Sequence, residues 1–184
     1  AEYFINFSFC QKRDTEWAKA DYEVATEQFK LSSSEKPIFV PEKGNINLNE
    51  TADALVVKGE RFEAVFSKKE GTLSAYTLNN VPLMSKGLEL NLFRAPTDND
   101  KQVSGDWQRK GLYQLQAETG KWETRQEEDR ITLHIRNCHK GKLGFEYRTE
   151  MEYTVNADGS IMVNSVIMPV SDGEIIPRVG YRME

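Results

Sequence analysis

Phe145-Glu146-Tyr147-Arg148-Thr149-Glu150-Met151-Glu152-Tyr153-Thr154-Val155 is the stretch that decides the fold. Phe145, Tyr147, Thr149, Met151, Tyr153 and Val155 occupy every second position, with charged residues at most of the positions between. A period of two puts one set on each face of an extended strand. One face is therefore buried and the other wet, as in an antiparallel sheet. Outward from here the pattern recurs. Ile131, Leu133 and Ile135 alternate upstream, Phe62, Ala64 and Phe66 further back, and Tyr3, Ile5, Phe7 and Phe9 at the start. Between the apolar runs lie Lys69-Glu70-Gly71, Asn79-Asn80, Lys140-Gly141 and Ala157-Asp158-Gly159, residues that tolerate the positive φ of hairpin turns. The spacing predicts about ten to twelve strands and one short helix over Ser104 to Leu112.

The composition suits a folded β protein of one domain, or one domain with part of another. The chain has 184 residues, 39% of them hydrophobic, with nine Phe, seven Tyr and three Trp, enough to build a core. A net charge of −5 with both signs interspersed gives no basic face for nucleic acid. No apolar run reaches the length of a membrane-spanning helix, and the start carries no signal-peptide pattern. Cys10 and Cys138 are far apart and form no metal or redox motif, so they leave the compartment open between cytoplasm and periplasm.

The composition breaks once. Ser32-Ser33-Ser34-Glu35-Lys36-Pro37 to Pro41-Glu42-Lys43-Gly44 is rich in Ser, Pro, Lys and Glu, so 32–45 reads as a linker. Before it lie about two strands, near 2–11 and 22–31, too few for an independent domain. Residues 1–31 thus read as the tail of a preceding sandwich, and 46–184 as a larger β domain. Ile176 to Arg182 reads as a last strand in which the chain stops, so both ends look cut.

Chemistry is sparse. Asn91-Leu92-Phe93-Arg94-Ala95-Pro96-Thr97-Asp98-Asn99-Asp100 runs from a strand end into an Asp-Asn-Asp cluster. Those oxygens suit a hard cation or a sugar hydroxyl, yet the further ligands and downstream Glu of a calcium loop are not in place. Asp and Asn after Pro also build turns, with Arg94 as their charge partner, and this structural reading is the stronger. His134 lies on the strand face opposite Ile131, Leu133 and Ile135 and His139 beside a turn, both expected as surface or half-buried residues rather than catalytic ones. Glu50 follows Asn49, a dipeptide found at glycosidase acid/base positions, but it precedes the turn-like Thr51-Ala52-Asp53 and has no partner carboxylate by motif. Trp17, Trp107 and Trp122 suit sugar stacking, though burial in a β core is the commoner outcome. No phosphate loop, nucleophile elbow or zinc spacing is present.

Phe93-Arg94-Ala95-Pro96-Thr97-Asp98-Asn99-Asp100 resembles the signature near the start of the C-terminal, small-chain domain of glycoside hydrolase family 2 β-galactosidases. Phe66 with Gly71-Thr72-Leu73, Trp107 with Gly111-Leu112-Tyr113, Tyr153 to Ile161, and Pro177-Arg178-Val179-Gly180 are similar to its flanking segments in order. Residues 2–31 look like the last strands of the immunoglobulin-like domain before it. The resemblance implies an all-β fold, a truncated antiparallel supersandwich of the galactose mutarotase-like kind, with remnant immunoglobulin-like strands. It implies a parent that hydrolyses terminal β-D-galactosides such as lactose, on a catalytic barrel that this chain lacks. The partners it implies are the parent's other domains, above all that barrel, and the parent's galactoside substrate, within a homo-oligomer. No catalytic, cofactor or metal residue carries over, and any magnesium or sodium ions of the parent belong elsewhere. Arg94, Asp98, Asn99 and Asp100 carry over as signature positions that hold a loop. Two rival readings stand beside this one: a free-standing carbohydrate-binding module and a mutarotase-like aldose epimerase. A surface made to dock on a parent also predicts an apolar patch and self-association.

Overall fold

The computed structural model describes residues 2–31, 39–170, 173 and 175–184. It divides into two compact units, Ala1–Val40 and Pro41–Glu184. The linker expected over 32–45 falls partly on 32–38, outside the described residues, while 39–45 run without strand pairing. Thirteen strands are present among the described residues, slightly more than the spacing predicts, because three of them are only two residues long. No helix among them is long and apolar enough to cross a membrane.

The first unit is a single antiparallel hairpin of β1 (Phe4–Cys10) and β2 (Glu23–Lys30). Its alternation is real but uncovered, since every residue of both strands is exposed. Ile5 pairs with Phe29, and Phe7 meets the Phe29 ring edge-on with centroids 5.8 Å apart. Trp17, expected in a core, is 67% exposed and touches Tyr22 edge-on. Two strands have no second layer in which to bury it.

In the second unit two sheets pack face to face. β3 (Asn47–Glu50), β4 (Ala54–Lys58), β5 (Phe62–Ser67), β6 (Thr72–Leu78) and β7 (Val81–Pro82) form a meander in chain order. Opposite lie β9 (Gln116–Gln126), β10 (Arg130–Lys140), β11 (Glu146–Asn156) and β12 (Ile161–Pro169). The predicted faces form the shared core: Val57, Ala64 and Phe66 from one sheet, Ile131, Ile135 and Tyr153 from the other, all fully buried. Tyr153 crosses the gap, its ring edge-on to Phe66 at 5.1 Å and its hydroxyl 3.1 Å from Thr72 Oγ1. Tyr76 closes one side by donating to the Gly159 carbonyl at 2.6 Å. Positive φ falls at Gly71, Asn79, Asn80 and Gly159 as expected, but the turn expected at Lys140-Gly141 is displaced: Lys140 ends β10, and the positive φ values lie at Leu143 and Gly144.

A smaller core joins Leu92, Trp107, Leu112, Phe145 and Tyr147. It lies under α1 (Ser104–Lys110), which ends two residues short of the predicted limit because Gly111 turns left-handed at φ 71°. The final strand is the clearest departure. Only Tyr181–Arg182 pair, as β13, with β8 (Glu89–Leu90). The rest of 176–182 makes no ladder, for Pro177 donates no backbone hydrogen bond. Both cysteines are free, Cys10 exposed on β1 and Cys138 half-buried on β10.

Candidate functional site

The Arg94-to-Asp100 segment folds into a closed loop. Pro96 and Thr97 lead into a single 3-10 turn at Asp98–Asp100, and Asp100 points inward, 8% exposed. Its carboxylate accepts two hydrogen bonds from the Arg94 guanidinium, at 2.6 and 3.0 Å, and two from Thr97, through the backbone N–H at 2.7 Å and the hydroxyl at 2.9 Å. The forked Arg contact comes first, and the Thr97 N–H second, in holding the Asp100 carboxyl far below the ordinary carboxylate range. The same contact pushes the Arg94 guanidinium up. Arg94 also lies over the buried Trp107 ring at 5.7 Å, tying the loop to the smaller core. Asp98 and Asn99 do not join Asp100. Asp98 is in solvent with Lys101 at 3.4 Å, and Asn99 is exposed. Among the described residues no group of three or more His, Cys, Asp or Glu is placed to hold a metal ion.

The other sequence candidates lie apart from this loop and from one another. Glu50 ends β3 on the surface, 2.6 Å from Lys68. His134 is on the outer face of β10, 3.3 Å from Glu152. His139 corrects the expectation of a near-surface residue beside a turn. β10 continues through Lys140, so His139 shares the inward face of Ile131, Leu133 and Ile135 and is 7% exposed. Its Nε2 is 2.9 Å from Thr149 Oγ1, and burial pushes its pKa down to about 4, which keeps the ring neutral.

His139 lines a cleft of about 530 Å³ in the second unit, which sequence reasoning missed. Its buried lining is polar: Asn137 and His139 from β10 and Thr149 from β11, each at least nine-tenths buried. Asn137 donates through Nδ2 to the Gly71 carbonyl at 2.8 Å. Its Oδ1 is the only buried side-chain polar atom without a hydrogen-bond partner among the described residues. One wall is the aromatic pair Phe93 and Tyr113, edge to face with centroids 6.0 Å apart. Glu89 also lines the cleft, between Arg182, at 2.7 Å, and Lys86, at 3.1 Å. The signal that marks this place in the sequence is three polar residues at core-facing positions of two paired strands. It shows only once pairing is known.

Comparison with known proteins matches residues 58–184 to the family described as the beta galactosidase small chain. This chain belongs to that family. A second match, over residues 1–32, is to beta-galactosidase domain 4. Curated beta-galactosidases are similar to this chain, two of those named here along almost its whole length. The beta-galactosidase of Priestia megaterium is 27% identical over 185 residues, covering 97% of this chain and 17% of the relative. That of Pseudoalteromonas haloplanktis is 28% identical, covering 98% of this chain and 19% of the relative. That of Streptococcus thermophilus is 29% identical over a shorter stretch, 57% of this chain. The chain thus spans 17 to 19% of the length of the first two curated relatives. Both the small-chain loop around Asp100 and the cleft fall inside the matched 58–184 segment.

Proposed function

We propose that the chain is a non-catalytic C-terminal part of a β-galactosidase that hydrolyses terminal non-reducing β-D-galactosides. One observation carries the reading: two neighbouring parts of that enzyme, domain 4 and the small chain, are matched in order along one polypeptide. In this reading 1–31 is the tail of an immunoglobulin-like sandwich and 46–184 the first part of a supersandwich of the small-chain kind. The partners are the parent's remaining domains, and the Arg94–Asp100 loop shapes a surface presented to the catalytic barrel.

The exposed face of the hairpin supports it, because Ile5, Phe7, Phe9 and Phe29 have the spacing of a strand pair made to be covered. The acids weighed in the sequence also support it. Glu50 lies beside Lys68 on the surface and Asp100 is enclosed by Arg94 and Thr97, and neither lines the cleft.

The test is hydrolysis of a chromogenic β-galactoside by the purified chain, alone and joined to the upstream remainder of a beta-galactosidase. Turnover only in the joined protein is the expected result. A rate that scales with the concentration of the chain alone would overturn the proposal.

A further inference from the structure

We infer that the open edge of β12 pairs, about a two-fold axis, with the same edge of a second copy of the chain, joining two four-stranded sheets into one. β12 is the last strand of its sheet and has β11 on one side only. An open strand edge is a row of unpaired N–H and C=O groups, which proteins usually blunt with charge, proline or shortness. The other outer edges of the two packed sheets are blunted in those ways. β9 carries Glu118, Lys121, Glu123 and Arg125, β3 is four residues long and ends on Glu50, and β7 has two residues, one of them Pro82. β12 has nine residues without a charge, and its proline stands at the far end. Met162, Val163 and Val166 are exposed along it, by 55%, 40% and 56%.

The register shows which groups the edge offers. At one end of the β11–β12 ladder the Asn156 N–H donates to the Ser160 carbonyl, and at the other the Val170 N–H donates to the Glu146 carbonyl. Both pairs join even-numbered residues, and the register between them is unbroken. In an antiparallel pair, residues that bond one another alternate with residues that point away. The even-numbered residues of β12 therefore bond to β11, while Ile161, Val163, Ser165 and Ile167 aim their N–H groups at the open edge. No strand meets them there among the described residues.

A second copy fits this edge because Ile161-Met162-Val163-Asn164-Ser165-Val166-Ile167-Met168-Pro169 is close to symmetric about Ser165. Turned end for end, it sets Met162 against Met168, Val163 against Ile167, and Ser165 against itself. In this register outward-pointing residues meet outward-pointing residues, so their N–H and C=O groups bond directly. A slip of one residue would set them against groups already used by β11. The contact uses one patch twice, as two-fold dimers do, and buries no charge. It rests on β12 alone, whether or not the parent cleaves galactosides.

Sedimentation equilibrium of the whole 184-residue chain, from micromolar to millimolar concentration, tests the pairing together with residue-resolved amide exchange. A dimer is expected. As it forms, the Val163, Ser165 and Ile167 amides should slow at least about tenfold, while those of Met162, Asn164 and Val166 are slow throughout. Val163→Pro removes an outward N–H and no bond to β11, a change that edge strands tolerate. It is expected to weaken the dimer at least about tenfold, since the symmetry removes the bond twice. Val166→Lys keeps every backbone group, sets a charge near its own copy across the axis, and should weaken the dimer likewise. Where Val163→Pro fails to fold, Val166→Lys decides. Three results would overturn the inference: a monomer at millimolar concentration, a dimer that the folded variants leave intact, as association through the β1–β2 ribbon would be, or outward β12 amides already slow in the monomer.

Discussion

His139 is a base held neutral inside a protein, and that has a pH signature. Its pKa falls from 6.5 to about 4 on folding, first of all through burial. Between these values the unfolded chain binds the proton and the folded chain does not, so stability rises with pH across the window. The contribution is fully present above about 6.5 and is lost as pH falls toward 4, on the order of 3 kcal/mol in all. Urea unfolding followed at pH 7 and pH 4.5 should show that loss, and His139→Gln should flatten it. Asp100 gives the second residue-scale test. Asp100→Asn removes the charge that Arg94 and Thr97 surround, and is expected to lower Tm by on the order of 5 °C. Asp98→Asn, next to Thr97 in sequence but with its side chain in solvent, should leave Tm unchanged. Equal effects in calorimetry would show that the cluster acts as one unit after all.

The hairpin of β5 and β6 shows how an element depends on one position. Gly71 closes it at φ +66°, and a Cβ built there would stand 2.1 Å from Asn137 Oδ1. Gly71→Ala therefore meets both left-handed backbone cost and a packed neighbour, and should destabilise by about 2 kcal/mol or more. Denaturant titration measures it, and a near-neutral result would mean that the amide of Asn137 swings away freely. Elements of this kind were legible in the sequence. Alternation located β5, β10 and β11 and the glycine-bearing turns between them, because period two and positive φ are local properties. The cleft was not legible. Asn137, His139 and Thr149 lie next to one another only through the β10–β11 register and the cross-sheet contact with Gly71, and neither is a local property. Trp17 and 176–182 failed for a related reason. Apolar character predicts burial or pairing only where a partner layer or a free backbone donor exists.

At the scale of the molecule the two units differ in kind. The second holds a core shared by two sheets, with strands of eleven residues at its centre. The first is a lone two-stranded ribbon with no buried residue in either strand, and such a ribbon is marginally stable in water. Amide exchange should therefore be at least about a hundredfold faster in β1 and β2 than in β10 and β11. Comparable protection in both would mean that the ribbon is covered in solution, as self-association through its apolar face would do.

The free cysteines fall one to each unit, and their settings differ. Cys10 is open to solvent, whereas burial first, then Glu146, raises the Cys138 thiol and slows its conversion to thiolate. A maleimide dye added briefly at neutral pH will mark the ribbon before the sandwich, and a second dye can follow. The natural sequence thus already carries a donor and acceptor pair for energy-transfer measurements of how the two units are disposed, with no cysteine to add or remove.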